Sequence, residues 1–277
     1  MRNRLTIGLL LVVMLAFTFG CSLNQPTDQV ADTLVIPGHA HNDYYHPRPL
    51  NDALDHGFIS IEADIFLVDG ELLVGHDPHE LTPERTLQSL YLDPLRERAQ
   101  AYDGRIYPDG SQVILLIDIK SDGEEMFEPL NAVLAAYSDI IAAWEPEGDH
   151  SGETAPVLAV LSGNRPVASM LRERRLLGRL DGRLDDLDSD LPAAFMPLIS
   201  DHWRQISSWQ GEGEMPAEDR ARLHEVVRQA HAAGRRVRFW ATPESEAVWE
   251  QLLEADVDLI NTDELGRLRR FLLSREP

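Results

Sequence analysis

The feature that most constrains the fold is an alternation of short apolar runs with amphipathic stretches across residues 33–277. The apolar runs are typical of buried β-strands, and the stretches between them are typical of helices with one apolar face. Strands that alternate with helices favour parallel βαβ units, either in an open doubly wound sheet or in a closed barrel. The predicted strands are Leu34–Pro37, Phe58–Ile65, Glu71–Val74, Val113–Ile119, Val157–Leu161, Ala194–Ile199, Arg236–Trp240 and Val257–Asn261, and the clearest predicted helices are Glu124–Tyr137, Ala217–Ala233, Glu244–Glu254 and Glu264–Leu273.

Residues 33–277 are interpreted as one domain, because the sequence shows no internal repeat and no second domain. A single α/β domain of about 250 residues is ordinary, and a chain that is 43% hydrophobic can form one large core. The turn signal Val68-Asp69-Gly70 predicts that Glu71–Val74 pairs back as a hairpin. The acidic stretches 145–153 and 181–190 are interpreted as solvated loops.

The first 21 residues form a separate segment. Two arginines near the start precede an uncharged apolar run, Leu5–Phe19. A membrane-spanning helix needs roughly 20 apolar residues, so this run fits the apolar region of a signal peptide better. Cys21, the only cysteine, follows directly, and the segment resembles a bacterial lipoprotein signal in which this cysteine is lipidated. The resemblance implies a polar tether at 22–32 and a lipid-anchored protein of the bacterial cell envelope; a plain secretory signal or a short uncleaved anchor are the alternatives.

The charge balance limits the possible partners. The chain carries 47 acidic residues against 25 lysines and arginines, a net charge of −22. Without a basic stripe to neutralise phosphates, nucleic acid is not an expected partner. An acidic enzyme that acts on a phosphate-bearing substrate needs local cations, either a bound metal or a few well-placed basic side chains.

Polar segments follow four of the predicted strands, where an α/β barrel places its active site. Because side chains alternate along a strand, Glu62 and Asp64 point to one face, and Asp118 and Lys120 share a face in the same way. The four segments are Gly38–Asp43, Ile61–Asp64, Gly75–Asp77 and Ile117–Lys120.

The carboxylates of these segments indicate a metal site. Carboxylates at the end of a buried strand are costly unless they are paired or hold a cation. Oxygen-rich sites suit Mg²⁺ or Ca²⁺, whereas zinc favours more nitrogen or sulfur. The histidines of the same segments are then free to act as acid and base.

At these residues the chain resembles the glycerophosphodiester phosphodiesterase and phosphatidylinositol-specific phospholipase C superfamily. In that superfamily a histidine follows the first strand, Glu-x-Asp ends the second, and a His-Asp pair follows the hairpin. The corresponding residues are His39, Glu62 with Asp64, and His76 with Asp77. Asp118-Ile119-Lys120 resembles the family's Glu-x-Lys, Phe239–Thr242 its Trp-containing seventh strand, and Val257–Asp263 its closing strand.

The resemblance implies a single (β/α)₈ TIM barrel with phosphodiesterase activity. It implies that His39 and His76 are the acid/base pair and that Lys120 is a cation at the phosphate. His41 and Trp240 are further candidates for contact with the substrate. The implied ligands of a Ca²⁺ or Mg²⁺ ion are Glu62, Asp64 and Asp118.

Two departures from the family pattern affect the site. The usual His-Arg-Gly is His39-Ala40-His41, which removes a cationic phosphate contact. The family's Pro-Glu-Asn-Thr, whose glutamate is a metal ligand, aligns loosely with Pro49–Asp52, where the glutamate is absent. The three carboxylates of the later strands then remain as ligands, as in the sphingomyelinase D branch. The His-x-His-Asn-Asp form is typical of a branch described only as phosphodiesterase-like.

The expected function is metal-dependent hydrolysis of glycerophosphodiesters or phospholipid head groups. Water and a neighbouring substrate hydroxyl are both possible nucleophiles, and the second would give a cyclic phosphate. One alternative is a phospholipase of C or D type on intact lipid, which predicts exposed apolar loops such as Trp203, Ile206 and Trp209. The other is a non-catalytic barrel lipoprotein that acts as a binding module.

Overall fold

Eight parallel strands form a closed barrel in the computed structural model, which describes residues 34–141, 143–145 and 155–275. The strands are β1 (Ile36–Ala40), β2 (Phe58–Val68), β3 (Glu71–Val74), β4 (Val113–Ile119), β5 (Val157–Gly163), β6 (Gly178–Gly182), β7 (Leu198–His202), β8 (Arg236–Trp240) and β9 (Ile260–Thr262). The helices are α1 (Asn51–Asp55), α2 (Asp93–Ala101), α3 (Gly123–Ala135), α4 (Val167–Arg172), α5 (Ala217–Ala232), α6 (Glu246–Glu254) and α7 (Leu265–Leu273).

The order of the strands around the barrel follows the chain. Hydrogen-bonded neighbours run β8-β7-β6-β5-β4-β2-β1-β9, and β3 is an antiparallel hairpin partner of β2. The two ends of this order meet where Leu259 pairs in parallel with Arg238 and donates its N–H to the carbonyl of Val237 at 3.2 Å. The predicted (β/α)₈ barrel and its β2–β3 hairpin are therefore confirmed.

The alternation along β4 shows how the sequence builds both layers of the core. Leu115 and Ile117 pack outward against the helices, whereas Ile114 and Leu116 belong to a separate cluster inside the barrel. Asp118 is the next inward-facing residue after Leu116, two positions further along β4. It pairs in register with Asp64 of β2, so the inward polar positions of neighbouring strands lie at one level at the carboxyl end.

Strand β6 was not predicted, and the interpretation of 181–190 as a solvated loop is wrong at its start. Asp181 is fully buried within β6, whose sequence Gly-Arg-Leu-Asp-Gly lacks the apolar run by which the other strands were recognised. The loop after β6 is held by the buried guanidinium of Arg235, which donates to backbone carbonyls of four residues. These carbonyls are those of Asp186, Leu187, Ser189 and Leu191.

Some predicted elements are shifted or were missed. The strand expected at Ala194–Ile199 lies at Leu198–His202, directly after Pro197, which has no N–H to donate. The short helices α1, α2 and α4 were not predicted.

The predicted signal segment (1–21), its lipidation site Cys21 and the tether (22–32) lie outside the described residues. Within the described residues, no helix is long and apolar enough to cross a membrane.

Candidate active site

A polar cavity of about 180 Å³ lies at the carboxyl ends of the barrel strands. All four predicted strand-end segments contribute to its wall, so the barrel does bring them together. Strands β5 and β8 and the residue after β6 complete the wall. The lining residues are His41, Asn42, Glu62, His76, Asp118, Lys120, Ser162, Arg183, Arg238 and Trp240.

Glu62, Asp64 and Asp118 form a carboxylate cluster, with one oxygen of each within 4.8 Å of the others. Oδ2 of Asp64 accepts hydrogen bonds from Tyr44 (2.9 Å) and Lys120 (2.9 Å), and Lys120 also lies 3.4 Å from Asp118. Oδ1 of Asp64 is buried and, among the described residues, has no hydrogen-bond partner. Burial and the charge of Glu62 raise the pKa of Asp64 to about 7 despite Lys120. The cluster thus carries more negative charge than Lys120 balances.

Arg238 is a site residue that the sequence reading missed. Its guanidinium donates to Glu62 Oε2 at 2.7 Å, and both side chains are buried. Burial alone would raise the pKa of Glu62, but the charge of Arg238 and the hydrogen bond with His39 together outweigh it, so the pKa is lowered. A signal was present, because Arg238 lies two positions before Trp240 and therefore on the same face of β8. Arg238 supplies a cation where the first motif lacks its usual arginine.

His39 does not line the cavity. Its side chain is fully buried, with Nδ1 2.7 Å from Ser60 Oγ and Nε2 2.8 Å from Glu62 Oε2. Burial and the nearby Arg238 lower the pKa of His39 to about 3, so the ring is neutral at ordinary pH. This position does not suit the predicted acid/base role, because both ring nitrogens are occupied and the ring is closed off from a substrate. In the structure His39 orients Glu62.

His41, two positions further, is the histidine of the first motif that lines the cavity. Its Nδ1 lies 2.8 Å from Oδ1 of Asp263, which leaves Nε2 for a substrate. Asp263 is itself held by Glu244, which accepts its N–H at 2.7 Å. Burial alone would lower the pKa of His41, but the hydrogen bond to Asp263 and the charge of Glu62 outweigh it, so the pKa is raised.

His76 lies at the mouth of the same cavity, after β3. Its side chain is 48% exposed, with Nδ1 3.6 Å from Asp77. The turn that carries it is fixed by Glu80, whose Oε2 accepts the backbone N–H of His76 at 2.8 Å. The structure therefore brings His76 together with His41 and the carboxylate cluster.

The apolar loop expected of a phospholipase is not exposed. Trp203 and Ile206 are buried, at 1% and 3% exposure, and Trp209 is half-buried. Trp203 packs edge-on against Phe239 and donates its indole N–H to the carbonyl of Trp209. Trp203 and Ile206 belong to the core, and Trp209 packs against it.

Two protein-family models match the chain. The AIM6-like phosphodiesterase domain matches residues 27–107, which contain the carboxylates of β2 and both cavity histidines. The glycerophosphoryl diester phosphodiesterase family matches residues 236–266, which contain Arg238, Trp240 and Asp263.

Sequence relatives span most of the chain. "Altered inheritance of mitochondria protein 6 homolog" of Arthroderma benhamiae is 28% identical and covers 89% of this chain and 87% of its own. "Altered inheritance of mitochondria protein 6" of Saccharomyces cerevisiae is also 28% identical, and the match covers 84% of this chain and 70% of the yeast protein. A crystal structure of a glycerophosphodiester phosphodiesterase from Agrobacterium tumefaciens is 16% identical, with a TM-score of 0.47, over 87% and 99% of the two chains.

These relatives overturn the predicted location. The prediction of a lipoprotein of the bacterial cell envelope is wrong, because the relatives that match over 84–89% of the chain are fungal proteins. It rested on Leu5–Phe19 and Cys21 alone, a short pattern in which the bulky Phe19 stands where a lipoprotein signal usually has a small residue.

The names of the fungal relatives state no catalytic activity. The similarity to phosphodiesterases therefore rests on the two matched segments, which carry six of the ten residues that line the cavity. One lies at the first strands of the barrel and the other at its last two. The matches at both ends of the barrel support placing the chain in the glycerophosphodiester phosphodiesterase superfamily.

Proposed function

We propose that this protein is a metal-dependent phosphodiesterase that hydrolyses small phosphodiesters, such as glycerophosphodiesters or phospholipid head groups. The observation that carries the proposal is that His41 and His76 line one small cavity with Lys120, Arg238 and two members of the carboxylate cluster, Glu62 and Asp118. Its 180 Å³ is below the roughly 300–1,000 Å³ of sites for drug-sized ligands, and its wall is polar. Both features favour a compact polar substrate over the acyl chains of an intact lipid.

The two cavity histidines supply the proton transfers. His41 is the better general acid, because Asp263 and Glu62 favour its protonated form. From Nε2 it would protonate the leaving alkoxide, while Nδ1 stays bound to Asp263. His76, more exposed at the mouth, would accept the proton of the attacking hydroxyl. Water and a neighbouring substrate hydroxyl both fit this arrangement.

The carboxylate cluster fits a divalent cation. A cation among Glu62, Asp64 and Asp118 would give the buried Oδ1 of Asp64 the partner it lacks among the described residues. Three carboxylates form an oxygen-rich donor set of the kind that Mg²⁺ and Ca²⁺ prefer. When bound, such a metal would offset the negative charge that develops on the phosphate. Lys120 and Arg238, which line the cavity beside the cluster, would bind the phosphate oxygens.

The test is hydrolysis of a panel of glycerophosphodiesters by the full chain with Mg²⁺, with Ca²⁺ and with EDTA. We expect metal-dependent release of glycerol phosphate, or of a cyclic phosphate if a substrate hydroxyl attacks. The His76→Ala variant is the control for contaminating hydrolases, because it should bind the metal without turnover. If wild-type protein binds the metal and hydrolyses no member of the panel, the proposal fails and a binding module becomes the better description.

A further inference from the structure

Most of the groups assigned to catalysis lie in one half of the barrel mouth. The His41–Asp263 pair, the carboxylate cluster and Lys120 come from β9, β1, β2 and β4 or directly follow them, and these strands are neighbours in the barrel. The opposite wall is formed by Ser162 of β5, Arg183 after β6 and Trp240 of β8. This opposite wall faces the same cavity and has no part in the chemistry proposed above.

Arg183 is fixed on this wall from several sides. Nη1 donates to Oδ2 of Asp181 at 2.7 Å and to the carbonyl of Gly182 at 3.0 Å, and Nη2 lies 3.2 Å from Ser162 Oγ. The centre of the guanidinium lies 5.0 Å from the centroid of the Trp240 ring, within the range of a cation–π contact. The guanidinium therefore has one defined orientation at the cavity wall.

The acidic partner of Arg183 is itself held in place. Asp181 is fully buried and accepts hydrogen bonds from Ser162 Oγ at 2.7 Å and from Ser200 Oγ. A charged carboxylate buried inside the barrel is costly, and this one is satisfied by two hydroxyls and one guanidinium. The arrangement positions Arg183 more tightly than a surface ion pair would.

One edge of the guanidinium remains available. The bonds to Asp181, Gly182 and Ser162 use the edge formed by Nη1 and Nη2. Among the described residues, the Nε–H of Arg183 has no hydrogen-bond acceptor, and Nη2 has only Ser162. The Nε–Nη2 edge is the planar fork that binds a carboxylate or a phosphate through two parallel hydrogen bonds.

We propose that Arg183, held by Asp181 and Trp240, is a specificity residue that binds a second anionic group, a carboxylate or a phosphate monoester, on the substituent of the phosphodiester substrate. This inference rests on the proposed function, because it assigns the substrate class of the same cavity. The scissile phosphate has its own cations, Lys120 and Arg238, beside the carboxylate cluster. Arg183 lines the same cavity after β6, two strands away from Asp118, where the part of the substrate that does not react would extend.

Two matched pairs of substrates test the proposal. Glycerophosphoinositol and its 4-phosphate differ by one phosphate monoester, and glycerophosphoethanolamine and glycerophosphoserine differ by one carboxylate. In wild-type protein we expect kcat/KM for the member with the additional anionic group to exceed that for the member without it by about tenfold or more in at least one pair. The pair that responds identifies which anion the site takes.

Arg183→Lys is the decisive variant, because it keeps a positive charge beside Asp181 but lacks the planar fork and the stacking of arginine. It should bring the ratio within each pair close to one, whereas Arg172→Gln, a control on the exposed surface of α4, should leave the ratio unchanged. The inference is overturned if wild-type protein shows no preference in either pair. It is also overturned if Arg183→Lys lowers both members equally and preserves the ratio.

Calorimetric binding of the same compounds in EDTA separates this inference from the proposed function. If wild-type protein turns over no member of either pair with metal, the proposed function fails. Tighter binding of the anionic member by wild-type protein than by Arg183→Lys would still support the anion site. Equal binding of both members by both proteins would overturn it.

Discussion

Nδ1 of His41 lies 2.8 Å from Oδ1 of Asp263, although the two residues are 222 positions apart in the chain. The contact exists because β1 and β9 are neighbours in the closed barrel, and the backbone N–H of His41 donates to the carbonyl of Thr262 at 3.1 Å. Closing the barrel thus assembles the pair in which an acidic residue orients the histidine and favours its protonated form.

Replacing each histidine of the first motif by alanine should separate a catalytic role, at His41, from a structural role, at His39. His41→Ala should lower kcat by roughly 10²–10⁴-fold, as loss of a general acid does, with little change in thermal stability. His39→Ala removes a fully buried ring with two hydrogen bonds and should cost roughly 1–3 kcal/mol of unfolding free energy. Steady-state kinetics and denaturant unfolding of both variants check this. If folded His39→Ala loses as much kcat as His41→Ala, the assignment of the acid is wrong.

The pH profile of kcat should depend on Asp263. A general acid must be protonated, so activity falls as pH rises through the pKa of His41, which is raised above 6.5. Asp263→Asn removes the negative partner and should move this alkaline limb to lower pH. Glu62 and Arg238 also affect the pKa of His41, and this variant leaves them in place. An unchanged alkaline limb in Asp263→Asn would mean that another group is the acid.

The raised pKa of His41 should also make the stability of the folded protein depend on pH. Because the folded-state pKa of His41 is raised, its contribution to stability is fully present below about pH 6.5 and is lost as pH rises through the folded-state value. The Asp263→Asn variant should show less of this loss than wild-type protein. Unfolding free energies measured between pH 5 and 9, a range of about four units around the ordinary histidine pKa, provide the check.

Metal binding should be visible without turnover. A ligand that binds only the folded state stabilises it by about 2.7 kcal/mol at a hundredfold excess over Kd, so Mg²⁺ or Ca²⁺ should raise the melting temperature of wild-type protein. Asp64→Asn keeps the size of the side chain but removes a buried carboxylate of the cluster, and it should abolish most of this rise. Asp69→Asn, at the exposed turn between β2 and β3, is a matched control outside the carboxylate cluster. An equal metal-induced rise in wild type and Asp64→Asn would exclude Asp64 as a ligand.

The parts of the site that follow from strand alternation could be predicted from the sequence. Glu62, Asp64 and Asp118 are adjacent in the barrel because a period of two places them on the inward face of β2 and β4, and this period is a local property. The barrel itself was predictable for the same reason, since most of its strands are continuous apolar runs. The register between β2 and β4 then brings the carboxylates to one level.

The choice between His39 and His41 depends on where β1 ends, which the sequence does not show. Both histidines lie on one face by alternation, so the motif alone does not separate them. In the structure β1 ends at Ala40, which leaves His39 inside the barrel against Ser60 and places His41 at the mouth.

Strand β6 could not be predicted, because its stability depends on contacts between strands. Its buried charge, Asp181, is stabilised by partners from other strands, and these partners are distant in sequence.

Gly163, at the end of β5, allows the backbone to lie close to Asp118 of the carboxylate cluster. Its φ of +66° lies in the left-handed region, where residues other than glycine are disfavoured. A Cβ at this position would lie 2.0 Å from Oδ1 of Asp118 and 2.5 Å from the carbonyl oxygen of Ile119. A side chain here must therefore displace Asp118, the strand end or both.

Gly163→Ala should lower metal affinity and kcat/KM, because the added methyl group moves a carboxylate of the cluster. The backbone strain alone costs about 1–2 kcal/mol of unfolding free energy. Gly104→Ala isolates that cost, because Gly104 also has a positive φ (+81°). Among the described residues other than its two chain neighbours, no atom lies within 4 Å of the position that an added methyl group would occupy. Both variants should lose stability, and only Gly163→Ala should lose metal-induced stabilisation in a thermal melt. If both variants retain the same metal response, Asp118 is either free to adjust or not a ligand, and its place in the cluster would have to be reassigned.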